Sequence, residues 1–246
     1  MQEAEHGERY NGQFLANEPH GYGVYHAANG DVYEGEFYEG KRQGEGVLRT
    51  MEGDVYRGQF ADGQKCGFGR VEYRAGNCFE GYWQGNKRSG KGKLYWANGD
   101  YYEGDYLADK QHGEGTLRRH NGDAFTGTFK DNHMHGFGIC TSHSKGLRYE
   151  GDFQHSLFHG HGLLVLADGS FHEGDFSSGE KHGFLTSFYS ETDSLFREEW
   201  IHDKLISRTE STCILPHFKG SIWYLDKRLH FLSPFTITLQ LSISSS

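Results

Sequence analysis

The stretch Asp31 to Thr50, DVYEGEFYEGKRQGEGVLRT, decides the fold of this chain. An aromatic-Glu-Gly start is followed by a second aromatic two residues past the glycine. A connection bearing Lys, Arg and Gly comes next, then Gly-x-Gly and an aliphatic residue. A step of 23 residues brings back VYRGQF with CGFGRV, and another brings CFEGYW with SGKGKL. The leading glycines are Gly12, Gly35, Gly58, Gly81, Gly104, Gly127, Gly151 and Gly174, spaced by 23 except for one step of 24 before Gly151. Self-similarity at a fixed period marks a repeat array.

Inside a copy the alternation has period two, the signature of strands. Tyr33, Gly35 and Phe37 point one way, and Glu34 and Glu36 the other. In the second half Gly44, Gly46 and Leu48 share a face. Turn pairs such as Asn29-Gly30, Asn98-Gly99 and Asp168-Gly169 separate the copies and favour positive φ. The expectation is an all-β fold, an elongated single-layer antiparallel meander or solenoid of about eight 23-residue hairpins. At two strands per copy, eight copies would span roughly 80 Å. The expected organisation is a lead-in over 1–9, the array over 10–185, a degenerate ninth repeat or cap over 186–205, and an apolar non-repeat tail over 206–246. For that tail a strand-rich cap, an amphipathic segment and an alternative terminus stand open.

Composition narrows the class. The 36 glycines follow no Gly-X-Y period and there are only 3 prolines, which excludes collagen. Aromatics make up 15% of the chain, which argues against disorder. The net charge of -9 argues against nucleic acid as a partner. Cys66, Cys78, Cys140 and Cys213 form no CxxC pair, the usage of a reduced compartment. The polar start MQEAEHGERY is not a signal peptide, and no apolar run has spanning length, so a cytoplasmic location is expected.

The pattern Y-x-G-x-[FW]-x-x-G-K-x-x-G-x-G, with a following Gly-Asp, resembles the MORN repeat (membrane occupation and recognition nexus). The resemblance covers about Tyr10 to Leu185 in eight copies. The eighth departs from it, because His182-Gly183-Phe184-Leu185 carries leucine where the second glycine belongs. A ninth start, Phe196-Arg197-Glu198-Glu199-Trp200, keeps both aromatics and replaces the glycine with Glu198. Proteins similar to this, made almost wholly of such repeats, serve as cytoskeletal, ciliary or flagellar scaffolds and as adaptors. The family name itself comes from phospholipid binding.

Chemistry in the residues is sparse. His20, His112, His135, His159 and His182 stand at repeat-equivalent positions, about 10 Å apart by strand spacing, too far to share a metal, so no metal site is expected. The column Glu34, Glu80, Glu103, Glu150 and Glu173 fails as a catalytic pair on the same distance. Gly85 to Lys91 imitates a phosphate loop but has Gly92 where Ser or Thr is required. No cofactor and no enzymatic activity are expected.

Two binding readings follow. In the first, a protein partner, as a helix or extended peptide, lies along an aromatic groove centred on Tyr56, Phe60, Phe79, Trp83, Tyr102 and Tyr106, because a one-layer sheet leaves ring area wet. In the second, a basic loop edge of Lys41, Arg42, Lys65, Lys87, Arg88, Lys91, Lys93 and Lys110 binds an anionic phospholipid. The acidic side chains of the outer face oppose that second reading. Monomer and homodimer both stay open.

Overall fold

A computed structural model describes residues 2–3 and 7–211 of the chain. Every strand among them pairs with its sequence neighbours, antiparallel, in one open sheet. A short strand, Gln2–Glu3, lies against Arg9–Leu15. Nine hairpins follow, each a row of the sheet with a leading and a returning strand. Rows 1 to 3 are Arg9–Leu15 with Glu18–His26, Val32–Tyr38 with Lys41–Arg49, and Val55–Ala61 with Gln64–Glu72. Rows 4 to 6 are Cys78–Gln84 with Lys87–Tyr95, Tyr101–Leu107 with Lys110–Arg118, and Ala124–Lys130 with His133–Ser142. Rows 7 to 9 are Leu147–Gln154 with Leu157–Leu166, Phe171–Ser177 with Glu180–Tyr189, and Ser194–Ile201 with Lys204–Glu210.

Two features differ from the sequence expectation. The boundary between 205 and 206 falls inside the returning strand Lys204–Glu210, so sheet pairing continues into the segment read as tail. The remainder of that segment, from 212, lies outside the described residues. The turns are also distributed otherwise. Tight two-residue turns with both φ values positive lie within each row, as at Glu39-Gly40 (φ 49° and 75°) and Ala108-Asp109 (φ 48° and 72°). Between rows the loop is longer: Gly30 N–H donates to Ala27 O at 2.9 Å and only the glycine of the Asn-Gly pair takes positive φ.

The glycines of row 2 show why the repeat needs three of them. Gly35 pairs with Gly46, but the next pair along is Glu36 with Gln43, so Gly44 and Glu45 bulge out of register. Gly44 supplies the positive φ of the bulge, 60°. The other two lie beneath an aromatic ring. In row 5 the equivalent of Gly46 is Gly115, where a Cβ would come within 2.7 Å of Cζ of Tyr102.

That ring placement builds the core. Each first-column ring meets the second-column ring of its own row and that of the next row edge to face. From Phe14 to Phe176 fifteen rings join in one chain, with centroids 5.0–5.4 Å apart and interplanar angles of 79–89°. Pairs in this geometry contribute about 0.5–1.5 kcal/mol each beyond buried area. Where the first column is tyrosine, its hydroxyl donates to the carbonyl three residues on: Gln13, Glu36, Gln59, Asp105 and Asp152 accept at 3.0–3.1 Å. All five carbonyls belong to residues at the bulge, so the tyrosine satisfies an acceptor the bulge removes from the ladder. Burial raises the pKa of Tyr33, Tyr56, Tyr102 and Tyr149, which keeps these hydroxyls as donors.

Both ends of the rows are stapled to their neighbours. Oδ1 of Asp31, Asp54, Asn77, Asp100 and Asp123 accepts the N–H of Met51, Arg74, Ala97, His120 and His143 in the following turn, at 2.8–3.0 Å. At the opposite end Asn86, Asp109 and Asn132 accept from Lys65, Arg88 and Gln111 at 2.8–3.0 Å. The chain of rings and the two lines of staples hold the rows in one register.

The array closes differently at its C-terminal side. His172 replaces the first-column ring, and its Nδ1 lies 2.8 Å from Ser187 Oγ. With no tyrosine over it, the glycine position of the partner strand is filled by Leu185, which is buried. Next along, Glu198 is wholly buried and accepts from Arg208 Nε at 2.7 Å, Trp200 Nε1 at 2.9 Å and Tyr189 Oη at 3.0 Å. Burial alone would raise its pKa; hydrogen bonds from Ser187, Tyr189, Arg208 and Trp200 outweigh it and hold the carboxylate below its usual range.

Candidate partner-binding face

The six groove residues lie together on one face of rows 3 to 5, but they are not wet. Phe79 and Tyr102 have no exposed surface, and Trp83, the most exposed of the six, retains 7%. The edge-to-face chain closes their sides, and the glycine backbone lies beneath. Trp83 Nε1 donates to Gly69 O at 3.2 Å, so its polar atom is satisfied within the sheet. These rings are a floor, and what a partner can touch is the layer above them.

That layer comes from the second residue of each returning strand. In rows 2 to 7 the column reads Arg42, Lys65, Arg88, Gln111, Met134 and Phe158. Arg42 Cζ sits 5.6 Å from the Tyr33 centroid and 5.4 Å from that of Phe60 in the next row. Lys65 Nζ sits 4.8 Å from Tyr56 and 5.1 Å from Trp83. Arg88 Cζ lies 5.4 Å from Phe79 and 5.2 Å from Tyr106. Each cation therefore bridges the rings of two rows. In rows 6 and 7 the covering turns apolar, with Phe158 stacked on Tyr149 at 3.8 Å and 9°, and in row 8 a cation returns, with Lys181 Nζ 3.4 Å from the Trp200 centroid. Leu117, Met134, Cys140 and Leu164 of rows 5 to 7 are half-buried against the ring core, as are Leu48, Tyr73 and Trp96 of rows 2 to 4.

The basic residues consequently do not form one loop edge. Lys41, Arg42, Lys65, Lys87, Arg88 and Lys110 begin returning strands and are not in connections. Of these only Arg42, Lys65 and Arg88 cover the rings. Lys41 and Lys110 pair with Asp62 and Asp131 of the next turn at 3.2 and 3.0 Å. Lys87 is exposed. Lys91 and Lys93 lie on the outer face, paired with Asp105 at 2.8 Å and Glu103 at 3.0 Å. The outer face is not an acidic band either, since Arg49, Arg70 and Arg148 pair with Glu34, Glu80 and Glu150 at 2.9–3.8 Å. Among the described residues no three His, Cys, Asp or Glu lie together as metal ligands would. No helix is long and apolar enough to cross a membrane among them.

The covering cations of rows 2 to 4 differ in their partners. Arg88 Nε donates to Asp109 Oδ1 at 3.1 Å. Arg42 Nη2 donates to a backbone carbonyl, Gly63 O, at 2.7 Å and has no carboxylate within ion-pair distance among the described residues. Lys65 also lacks one; burial and the charge of Arg42 lower its pKa. The signal for this column was present in the sequence. Counting back by twos from Leu94 reaches Arg88 on the ring side and leaves Lys91 and Lys93 on the other.

Several solved structures align with the chain at low similarity. A point mutant of the TCP10 domain of Danio rerio CPAP aligns at 11% identity and TM-score 0.43 over 85% of this chain and 98% of that one. The SAS-4 (dCPAP) TCP domain of Drosophila melanogaster, in complex with a proline-rich motif of Ana2, aligns at 15% and TM-score 0.34 over 69% and 84%. At TM-scores below 0.5 these likenesses carry neither a shared fold nor a shared partner to this chain. No curated protein matches it in sequence. The sequence model of the MORN repeat does match, at residues 10–32, 33–55, 56–78, 79–101, 102–124, 125–146, 149–171 and 172–184. With eight consecutive repeats over most of its length, the chain belongs to the MORN-repeat family.

Proposed function

We propose that the chain is a non-enzymatic scaffold or adaptor that binds a segment of a partner protein along its ring face, in cytoskeletal or ciliary assembly. One observation carries this reading: the column from Arg42 to Phe158 places one contact side chain per row, in register, over a floor that needs no partner for its own burial. A rigid floor lowers the ordering cost of binding. The six rings then act by holding Arg42, Lys65 and Arg88 in place, and the contact itself falls to the covering column. The phospholipid alternative draws less support, because the eight basic residues are divided between two faces and several are already paired.

Photo-crosslinking from defined positions tests it. A benzophenone amino acid at Gln111 or Met134 should crosslink a protein in cells that express the chain, and one at Tyr82 on the outer face should not. Crosslinks from Tyr82 alone, or to lipid alone, would overturn the reading.

A further inference from the structure

We propose that the occupant of the ring face is an acidic partner segment in polyproline-II conformation, lying across the rows with carboxylates on Arg42, Lys65 and Arg88 and apolar side chains on Met134 and Phe158. This rests on the protein-binding reading above and names the chemistry of the partner.

Charge complementarity is the first argument. Three successive rows present cations on the same face, and the next three present Gln111, Met134 and Phe158. Arg42 and Lys65 meet no carboxylate among the described residues, whereas the outer-face cations Lys91, Lys93 and Arg70 each have one. Lys65 stands between two arginines, over the rings of Tyr56 and Trp83. A carboxylate above this row would meet a cation that has no carboxylate within ion-pair distance among the described residues, as a charge-assisted contact.

Pitch is the second argument, and it selects the conformation. Equivalent side chains lie two strands apart, about 9.6 Å. A polyproline-II segment has three residues per turn and a rise of about 3.1 Å, so every third side chain returns to one face after about 9.3 Å. Over the five steps from Arg42 to Phe158 the mismatch sums to only about 1.5 Å. A helix read every seventh residue advances about 10.5 Å per step and slips by about 4.5 Å over the same distance, nearly half a row. A β-strand turns every third side chain to the wrong face. The segment therefore carries Asp or Glu at i, i+3 and i+6, a residue of any kind at i+9, and apolar residues at i+12 and i+15.

The probe is a fluorescein-labelled peptide with three Asp-Pro-Pro units, one Gln-Pro-Pro and two Leu-Pro-Pro, titrated against the full chain by anisotropy. Three comparison ligands are an Asp-to-Asn peptide, a helical peptide with Asp at heptad spacing, and phosphatidylserine vesicles. The expected result is saturable binding of the probe that weakens about tenfold or more with the Asn peptide, and likewise with the triple variant Arg42→Gln, Lys65→Met, Arg88→Gln. The outer-face pair Lys91→Gln, Lys93→Gln should change affinity by less than about twofold. Should the triple variant not fold, Lys65→Met alone, which nearly conserves volume, should still weaken the probe. Equal binding of the Asn peptide, tighter binding of the helical peptide, or cation-dependent binding of the vesicles alone would each overturn the proposal. If the probe fails while Gln111 and Met134 still crosslink a protein, the acidic assignment falls and the scaffold reading stands. If neither result appears, both fall.

Discussion

Tyr56 and Trp83 belong to different repeats and meet edge to face, with centroids 5.3 Å apart and an interplanar angle of 86°. Trp83 makes the same contact with Phe79 of its own row, at 5.3 Å and 89°. An interior ring thus couples two rows, while Phe14, at the chain's first row, meets one ring among the described residues, that of Tyr10, and is 41% exposed. In an array stabilised through nearest-neighbour interfaces, losses should follow that count. Trp83→Ala is expected to cost about 3–5 kcal/mol, and Phe14→Ala about 1 kcal/mol or less. Urea unfolding followed by far-UV circular dichroism measures both. A larger loss at Phe14 would show that the first row nucleates the array and is not merely its edge.

Row 5 offers a finer test, because its two tyrosines have opposite polar environments. Tyr102 Oη donates to Asp105 O at 3.1 Å, whereas the buried Tyr106 Oη makes no well-aligned hydrogen bond among the described residues, its polar neighbour being the Gln111 side chain. Tyr102→Phe should therefore cost about 0.5–1.5 kcal/mol, the net value of a hydrogen bond. Tyr106→Phe should be neutral or stabilising, since it removes a desolvated hydroxyl that has no well-aligned partner. Phenylalanine already fills the same column at Phe37, Phe60 and Phe129. Midpoints of thermal unfolding for the two variants, measured together, decide it; equal losses would mean that Tyr106 has a partner after all.

The same two residues show what the sequence could disclose. Their columns, their shared face and the 23-residue period are legible, because one alternation recurs in every copy. Their depth of burial is not, since it depends on angles between rings of successive rows. Tyr102→Leu and Tyr106→Leu would thus report stability and not partner binding. The within-row turns were also hidden: Ala108-Asp109 and His155-Ser156 adopt two positive φ values without the usual glycine, under the constraint of the flanking strands. The division of the basic residues between two faces is hidden for another reason. Treating the start of each returning strand as a loop removes the alternation that separates Arg88 from Lys91 and Lys93. Row 9 could not be bounded from its pattern, because Lys204–Glu210 contains none of the repeat's glycines.

The C-terminal rows should be the acid-sensitive part of the array. His172 takes the place of an aromatic ring and is buried against Ser187, Tyr189 and Trp200, with Lys181, Glu198, Asp168 and Asp203 as its nearest charged groups. Burial, then the charge of Lys181, lowers its pKa from 6.5 to about 4. The sign follows from proton counting. Between these values the unfolded chain binds a proton that the folded chain refuses, so stability falls as pH drops from about 6.5 to about 4, by at most about 3 kcal/mol. Above 6.5 this group imposes no slope. Glu198, whose folded pKa is depressed, adds a loss of the same sign only at lower pH, below the ordinary glutamate range. Urea midpoints at pH 7.5, 6.5, 5.5 and 4.5 should therefore decline in the natural chain over the histidine's interval. In His172→Phe, which restores the column's aromatic, the decline over that interval should flatten while the level at pH 7.5 changes little. Parallel declines in the two proteins would assign the acid sensitivity to other groups and leave His172 a neutral filler of the ring column.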